Sequence, residues 1–386
     1  MGFDICVIGG GAAGMAAAIT AARAGASVAV AEGNARVGKK LLSTGNGRCN
    51  LSHVTPDIGA YRGDEAFVSD LLGELGSTGA FAFFKELGVL CRSDADGRVY
   101  PYSNSANTVL DALRRELDLL GVRVICNNRI TDISGSDGAF VLSGAEPVKA
   151  KKVILAAGGK AAPSTGSDGS GFSLLSRFGI PCTELRPALT GIKCGGTARF
   201  KGIRVRAAVT LRRNGKNIAC SSGELQFGDK GLSGICVFDI SRFAEKGDEV
   251  IADLLPDYSE ELCAGLFAEL DNGRGLPPAE LLSGIMNRRL AEAAAAVGGA
   301  DRYALAHAAK NMRFIADGVM PFENAQVTAG GVPVSEVGGD LQCVRAKGLY
   351  LVGELLDVDG ICGGYNLHWA WCTGIRAGRS AAEALR

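Results

Sequence analysis

Residues 5–32 read ICVIGGGAAGMAAAITAARAGASVAVAE, and the architecture follows from this stretch. Four apolar residues, 5–8, predict a short strand that is buried on both faces, as in a parallel sheet. A glycine-rich turn leads into an alanine-rich helix over residues 15–24, which Gly25 ends. A second strand over residues 27–31 closes on Glu32. The order strand, turn, helix, strand predicts an α/β fold with a parallel sheet.

The turn has the pattern G-x-G-x-x-G, and each of its positions has a physical task in binding a dinucleotide. Gly9 permits the tight turn, Gly11 lets the backbone approach a pyrophosphate, and Gly14 lets the helix pack closely on the strand. The helix N-terminus offers free N–H groups and the positive end of its dipole to the phosphates. Glu32 suits a ribose hydroxyl, and its charge argues against a 2′-phosphate. The motif therefore predicts FAD or NAD rather than NADP.

Two further stretches favour FAD over NAD. Residues 33–50 form a long, basic, glycine-studded loop that suits a second phosphate and a second ring system. Near the other end of the chain, an apolar strand runs into Gly353 and Glu354, and a helix is predicted to begin after Gly364. A helix that starts at glycine presents free N–H groups to the electron-rich edge of a reduced flavin. Two such sites in one chain suit the long dinucleotide FAD.

Composition excludes several classes of protein. The chain has 386 residues, of which 47% are hydrophobic and 21% charged, so a mainly disordered protein is excluded. Its 41 Lys and Arg balance its 41 Asp and Glu, which gives no electrostatic footprint for a nucleic acid or an acidic membrane. We expect a cytoplasmic protein with neither partner, because no signal-peptide or membrane-spanning pattern is present. The twelve cysteines include no C-x-x-C pair, so no metal site is expected.

Together with the N-terminal motif, five more stretches resemble the BaiN/YhiN-type (aminoacetone-oxidase-like) FAD-binding flavoproteins. They are residues 39–50 (KKLLSTGNGRCN), 97–101 (GRVYP), 327–332 (VTAGGV), 353–360 (GELLDVDG) and 363–366 (GGYN). The motifs occur in the family's order along nearly the whole chain. The resemblance implies a Rossmann-like, two-dinucleotide-binding FAD domain that is interrupted by an insertion with a β-rich part and a helical part.

The resemblance and the changing texture of the sequence imply four segments. The FAD-binding domain is expected over residues 1–186 and 326–386. A β-rich insert is expected over residues 187–250, rejoined near 313–325, and a helical insert over residues 251–312. Within the β-rich part, Asn214-Gly215 between two apolar runs predicts a hairpin.

The resemblance also implies which residues contact FAD. With the N-terminal motif included, these are Gly9, Gly11, Ala13, Gly14, Glu32, Lys39, Lys40, Ser43, Gly45, Asn46, Gly47, Arg48, Ile130, Ala157, Gly158, Gly353, Glu354, Asp357, Gly364, Tyr365 and Asn366. The family usually has Thr at position 157, so Ala157 loses a hydroxyl contact. Only one full dinucleotide fingerprint is present, so NAD(P)H is expected as a transient electron donor.

The function that the resemblance implies is NAD(P)H-driven reduction of a C=C bond conjugated to a ketone, as in bile-acid or steroid enones, by hydride transfer from flavin N5. A small apolar substrate is expected. Arg48, Tyr365 and His368 are candidates for contact with substrate or flavin, whereas His53 and His307 are interpreted as ordinary surface or half-buried residues. Two alternatives stay open: a flavin-dependent amine or aminoketone oxidase that uses O2, and a non-catalytic redox sensor that binds a dinucleotide.

Overall fold

The computed structural model describes residues 2–386, apart from the side chains of residues 74, 75, 77 and 78. Within that range the chain divides into two compact units. Unit 1 contains the residues up to Arg186 together with Val327–Arg386, and unit 2 is Pro187–Gln326.

The described residues form short strands and mostly short helices. The strands are β1 (Gly2–Ile8), β2 (Val28–Ala31), β3 (Ser52–His53), β4 (Tyr61–Arg62), β5 (Cys91–Ser93), β6 (Arg98–Pro101), β7 (Arg123–Ile125), β8 (Asp132–Ser134), β9 (Phe140–Ser143), β10 (Val148–Leu155), β11 (Arg186–Ala188), β12 (Ile192–Cys194), β13 (Arg204–Arg213), β14 (Lys216–Phe227), β15 (Gly231–Ser233), β16 (Glu249–Asp253), β17 (Met312–Val319), β18 (Val327–Ala329), β19 (Leu349–Leu351) and β20 (Asp359–Gly360). The α-helices are α1 (Ala12–Arg23), α2 (Glu65–Glu86), α3 (Ala106–Leu119), α4 (Ser170–Ser176), α5 (Ile235–Ser241), α6 (Glu260–Asp271), α7 (Pro278–Ser283), α8 (Arg288–Gly298), α9 (Arg302–Lys310) and α10 (Tyr365–Glu383). None of these helices is long and apolar enough to cross a membrane.

Unit 1 is built on a sheet of seven strands in the order β7-β2-β1-β10-β9-β8, with β19 also paired to β10. The strands β7, β2, β1, β10 and β19 run parallel, and β9 runs antiparallel to β10. Every residue of β2 is buried, because both faces of a parallel sheet are covered. The predicted α/β, Rossmann-like fold is therefore confirmed.

The helices α1 and α10 touch through their backbones. A Cβ atom on Gly374 or Gly378 of α10 would overlap the carbonyl oxygen of Ala13 or Ala17 of α1. Only a hydrogen fits at these two positions, so the helices approach more closely than larger side chains allow. The backbone N–H of Gly353 donates to Thr373 Oγ1 over 3.0 Å, which ties the end of the sheet to α10 beside this contact.

Unit 2 contains a closed barrel of the strands β12-β15-β14-β13-β16-β17. The strands β13 and β14 form an antiparallel hairpin that turns at Asn214 and Gly215, both with positive φ, as the Asn-Gly pair predicted. The barrel strand β16 pairs with β13 and β17 and continues to Asp253. The border between the β-rich and helical parts therefore lies later than the predicted residue 250. The helices α6–α9 follow and enclose a core of their own.

Candidate functional site

Of the three glycines of the G-x-G-x-x-G pattern, one has open space beside its Cβ direction and the other two do not. Gly9 has a φ of 101°, and a Cβ atom there would lie 2.5 Å from the carbonyl oxygen of Ala156. A Cβ atom on Gly14 would overlap the carbonyl oxygen of Gly9. At Gly11, where φ is −80°, a Cβ atom would meet nothing within 4 Å. Gly11 therefore borders a cradle that a side chain would fill, which fits a pyrophosphate at the start of α1.

The helices α1 and α10 both begin at a glycine without a side-chain cap. In the described part of the chain, side chains cap α2, α6, α8 and α9, whereas α1 and α10, like α3, α4, α5 and α7, have no side-chain cap. The first turns of α1 and α10 also contain no acidic residue. The positive ends of both helix dipoles are thus left to an anionic or electron-rich ligand.

Glu32 lies directly after β2 and is held beside the glycine turn. Its Oε2 atom accepts a hydrogen bond from the backbone N–H of Gly10 over 2.8 Å. Its Oε1 atom accepts from the backbone N–H and the side-chain amide of Asn34, over 2.7 and 2.8 Å. Oε1 already accepts two hydrogen bonds, so Oε2, which accepts one, is the oxygen that retains capacity for a ribose hydroxyl. The sequence predicted the ribose contact but missed the support from Asn34.

Lys40 and Glu354, two predicted cofactor residues far apart in sequence, form an ion pair with 2.7 Å between Nζ and Oε2. The Oε1 atom of Glu354 accepts from the backbone N–H of Thr328 over 2.9 Å. The hydroxyl oxygen of Thr328 accepts in turn from the backbone N–H groups of residues 160 and 161. Lys39, by contrast, is exposed and donates to a backbone carbonyl over 2.6 Å. The structure therefore brings Lys40, Glu354 and the unpredicted Thr328 together.

The loop after Lys40 turns sharply and presents a polar face. Residues 45–47 all have positive φ, at 56°, 55° and 81°. Ser43 is exposed and its hydroxyl donates to the carbonyl oxygen of Lys40, so its visible contact is local. The guanidinium of Arg48 lies 4.8 Å from the ring centroid of Tyr100, close enough for a cation–π interaction. Arg48 is thereby oriented, while it remains exposed.

The turn before α10 is shaped by predicted cofactor residues. Gly364 has a φ of 99°, and a Cβ atom there would overlap the carbonyl oxygen of Ser52. The side-chain amide of Asn366 accepts from the N–H of Gly360 over 2.8 Å and donates to its carbonyl over 2.7 Å. The carbonyl oxygen of Tyr365 accepts from the hydroxyl of Tyr61 over 3.1 Å. The side-chain amide of Asn366 therefore holds the turn in place.

His368, a candidate for contact with substrate or flavin, lies inside the protein, and that contact stays a prediction. Its side chain is fully buried, with Nδ1 2.9 Å from Ser52 Oγ and Nε2 3.5 Å from Cys372 Sγ. Burial lowers the pKa of His368 to about 4, because a buried imidazolium loses its hydration. This enclosed imidazole connects β3 to α10.

Four other predicted positions make contacts within the protein. Ile130 is buried against Gly144, and the carboxylate of Asp357 accepts from the hydroxyl of Thr183 over 2.9 Å. Ala157 packs closely against Gly171, and Gly158 has a positive φ. Contact of these four residues with FAD stays a prediction, as it does for every other predicted site residue.

The residues present fit FAD. The cradle at Gly11 suits its pyrophosphate, the carboxylate of Glu32 suits its ribose, and the uncapped start of α10 suits an electron-rich ring edge. Among residues 2–386, by contrast, no group of three or more His, Cys, Asp and Glu side chains could hold a metal ion.

Comparison with known proteins gives a match along nearly the whole chain. A family model described as HI0933-like protein Rossmann domain matches residues 3–380. The 3-dehydro-bile acid delta(4,6)-reductase of Clostridium scindens is 39% identical over an alignment 405 residues long with its gaps, and the alignment covers 98% of this chain and 99% of that protein. The ribosomal RNA dihydrouridine synthase of Escherichia coli is 26% identical over 96% of this chain and 95% of its own length.

A solved structure has the same fold. The 3-ketosteroid-delta4-(5alpha)-dehydrogenase of Rhodococcus jostii RHA1 superposes with a TM-score of 0.56 and is 18% identical. The match covers 99% of this chain and 97% of that one. At 18% identity, the likeness shows that the two chains share a fold, and it carries no information about the substrate of this chain.

Proposed function

We propose a reaction for this chain, which belongs to the HI0933-like Rossmann family and is an FAD-dependent oxidoreductase. The proposed reaction is the reduction of a C=C bond that is conjugated to a ketone in a flat, apolar, steroid-like molecule. The observation that carries this proposal is the 39% identity, over almost the full length of both chains, to a 3-dehydro-bile acid delta(4,6)-reductase. We propose NAD(P)H as the electron donor.

The names of the relatives have one chemical feature in common. A 3-dehydro bile acid with a double bond at C4 is an enone, in which the double bond is conjugated to the C3 ketone. Dihydrouridine is uridine reduced at its C5–C6 bond, which is conjugated to the C4 carbonyl. Hydride adds to such a bond at a carbon made electrophilic by the conjugated carbonyl, and a proton completes the reduction. The relatives thus support reduction of a conjugated double bond as the reaction class.

The residues around the glycine turn would hold the adenosine half of the cofactor. The N–H groups at the start of α1 would bind the pyrophosphate beside Gly11, and Glu32 would accept from the ribose. Lys40 and Glu354 offer one positive and one negative group at the cluster with Thr328. These residues bind and orient; when bound, FAD supplies the two-electron chemistry at its ring system.

The start of α10 would serve the flavin half. The dipole of this 19-residue helix stabilises negative charge at its N-terminus, where Gly364 leaves the first N–H groups without a side-chain cap. Reduced flavin is more electron-rich than oxidised flavin, so this helix would favour the reduced state. The exposed Arg48 is the cation in the neighbouring loop that remains available to an oxygen atom of a substrate.

NAD(P)H is proposed as a visiting donor and not as a resident cofactor. The chain contains one glycine fingerprint of the dinucleotide type, at residues 9–14, and the proposal assigns that site to FAD. A donor without a second fingerprint would approach the flavin, leave its electrons there and depart before the substrate enters.

Purified protein is expected to be yellow and to release FAD. The open cradle at Gly11 and the oriented carboxylate of Glu32 fit a pyrophosphate and an adenosine ribose, which FMN lacks as a pair. Heat release followed by mass spectrometry identifies the cofactor. Recovery of FMN, or failure of apoprotein to take up added FAD, contradicts the site as assigned.

Enzyme reduced anaerobically with NADH or NADPH is expected to be reoxidised faster by a 3-oxo-delta4 steroid than by O2. An apolar enone matches the substrate class of the 39% identical relative. Stopped-flow absorbance of the flavin measures both rates, and free FAD with the same reagents is the control. If O2 is as fast as every enone, and aminoketones reduce the flavin without NAD(P)H, the protein is an oxidase.

Reduction of uridine in RNA is the second candidate function, because two ribosomal RNA dihydrouridine synthases match over about 95% of their length. The balance of 41 positive and 41 negative side chains favours the small apolar substrate instead. The same reduced enzyme is therefore mixed with ribosomal RNA. Reoxidation by RNA and not by steroid enones would assign the RNA reaction.

A further inference from the structure

Each residue of one short segment, residues 50–53, contacts α10 or the glycine that precedes it. The side-chain nitrogen of Asn50 donates to the carbonyl oxygens of Ser52 and Val99, and its Oδ1 atom accepts from the N–H of Gly364. The contacts are Asn50 Oδ1 with the N–H of Gly364 (3.1 Å), Leu51 O with Trp371 Nε1 (3.0 Å), Ser52 Oγ with His368 Nδ1 (2.9 Å) and the ring of His53 with the ring of Tyr365 (5.2 Å between centroids). This segment directly follows the loop of residues 39–48, so it links two predicted cofactor-binding regions.

The ring of Tyr365 is held from two sides. His53 stacks on it at an angle of 16° between the ring planes. Tyr61 meets it edge-on, with 5.6 Å between centroids and 86° between planes. The Tyr365 side chain is only 7% exposed. Tyr365 is the first residue of α10, so a fixed ring also fixes the first turn of that helix.

His53 is itself anchored on both ring nitrogens. Its Nδ1 accepts from the backbone N–H of Thr55 over 3.2 Å, and its Nε2 lies 2.9 Å from the carbonyl oxygen of Asp96. A Cβ atom on Gly97, where φ is 80°, would lie 2.7 Å from His53 Cε1. Glycine at position 97 therefore makes room for the imidazole. This contact gives the glycine of the 97–101 motif a structural role, whereas none of the predicted FAD contacts involves that motif.

We propose that His53 is a positioning residue for the cofactor-binding end of α10. Its ring is a fixed wall that holds Tyr365, and through Tyr365 it keeps the first turn of α10 in the arrangement that FAD requires. The inference rests on the proposed position of the flavin at the start of α10. It gives a task to a histidine that the sequence marked as ordinary.

The test compares three variants by titration of apoprotein with FAD, followed by flavin fluorescence. His53→Ala is expected to raise the Kd of FAD about 3- to 10-fold, the loss of one aromatic pair. His53→Phe keeps a ring and is expected to stay within about twofold of the parent chain. His307→Ala, which removes an exposed histidine of unit 2, is the matched control and should leave the Kd unchanged.

A second measurement separates positioning from general loss of structure. The midpoint potential of the bound flavin is expected to shift in His53→Ala and not in His307→Ala, while the thermal midpoint of His53→Ala apoprotein stays near that of the parent. The Tyr365→Leu variant and the double variant complete a cycle in which the two losses should be less than additive.

The outcomes are distinguishable. A parent chain that binds no FAD contradicts the proposed function. If the parent chain binds FAD, any of three results overturns the positioning role alone. The Kd of His53→Ala could equal that of the parent, His53→Phe could bind as weakly as His53→Ala, or the two losses could add in the cycle. Should His53→Ala fail to fold, Gly97→Ala makes the same test by forcing the imidazole away from its place, and a parent-like Kd there overturns the role as well.

Discussion

Gly11→Val is expected to abolish FAD retention and leave the protein folded. Gly11 has extended backbone angles, φ −80° and ψ −168°, that valine adopts readily. Apart from its two chain neighbours, no atom of the protein lies within 4 Å of the place that a Cβ atom on Gly11 would take, so the first carbon of a side chain meets no obstacle in the apoprotein. The pyrophosphate would need that same space. Loss of two charge-assisted hydrogen bonds, at about 1.5–3 kcal/mol each, weakens FAD binding by about 100-fold or more.

Apoprotein titration with FAD and thermal unfolding together measure this result. Gly195→Val is the matched control, because Gly195 likewise has no neighbour within 4 Å of its Cβ direction but lies in unit 2. Gly14→Val should behave differently from both, because its side chain would overlap the carbonyl oxygen of Gly9 and damage the fold itself. Parent-like FAD binding by Gly11→Val would place the cofactor elsewhere.

The parts of the fold that sequence could predict are those with local causes. The glycine turn after β1 and the Asn214-Gly215 hairpin each depend on a few neighbouring residues whose allowed backbone angles are restrictive. The start of α10 after Gly364 belongs to the same class. For these elements, the residue type alone limits the conformation, and the structure agrees.

The parts that sequence could not predict depend on contacts between distant residues. His368 follows a predicted cofactor motif, yet its imidazole turns inward to Ser52, which is 316 positions away. His53 is another example, since its task depends on a ring stacked from α10. Thr328 carries no local signal for its bond to Glu354. Side-chain direction on a helix or loop is set by packing, which composition and spacing do not contain.

The contact between α1 and α10 is a point where fold and function depend on the same atoms. Gly374 lies against the carbonyl oxygen of Ala13, two residues after Gly11, and α10 is the helix that begins at Gly364. Any side chain at position 374 must push the two helices apart. Because α1 is proposed to carry the pyrophosphate and α10 the flavin end, one added methyl group should disturb both stability and FAD binding.

Gly374→Ala is therefore expected to destabilise unit 1 by about 1–3 kcal/mol or more, the cost of overpacking a well-packed contact. Both tryptophans of the chain, Trp369 and Trp371, lie in α10, so their fluorescence reports the unfolding of unit 1 alone. The matched control is Gly265→Ala in the middle of α6, where a Cβ atom meets nothing outside its own helix.

Opposite signs are expected from the two glycine substitutions, although both place alanine inside a helix. Gly265→Ala should stabilise unit 2 by about 0.5–1 kcal/mol, because alanine has the higher helix propensity and its methyl group meets no neighbour. Tryptophan fluorescence follows unit 1, whereas far-UV circular dichroism reports the helices of both units, so a circular dichroism transition that the fluorescence does not share reports unit 2. Replacement of an ordinary helical glycine by alanine raises the unfolding midpoint. If Gly374→Ala did the same for unit 1, α1 and α10 would not be in backbone contact, and this contact could not support both of the proposed cofactor-binding ends.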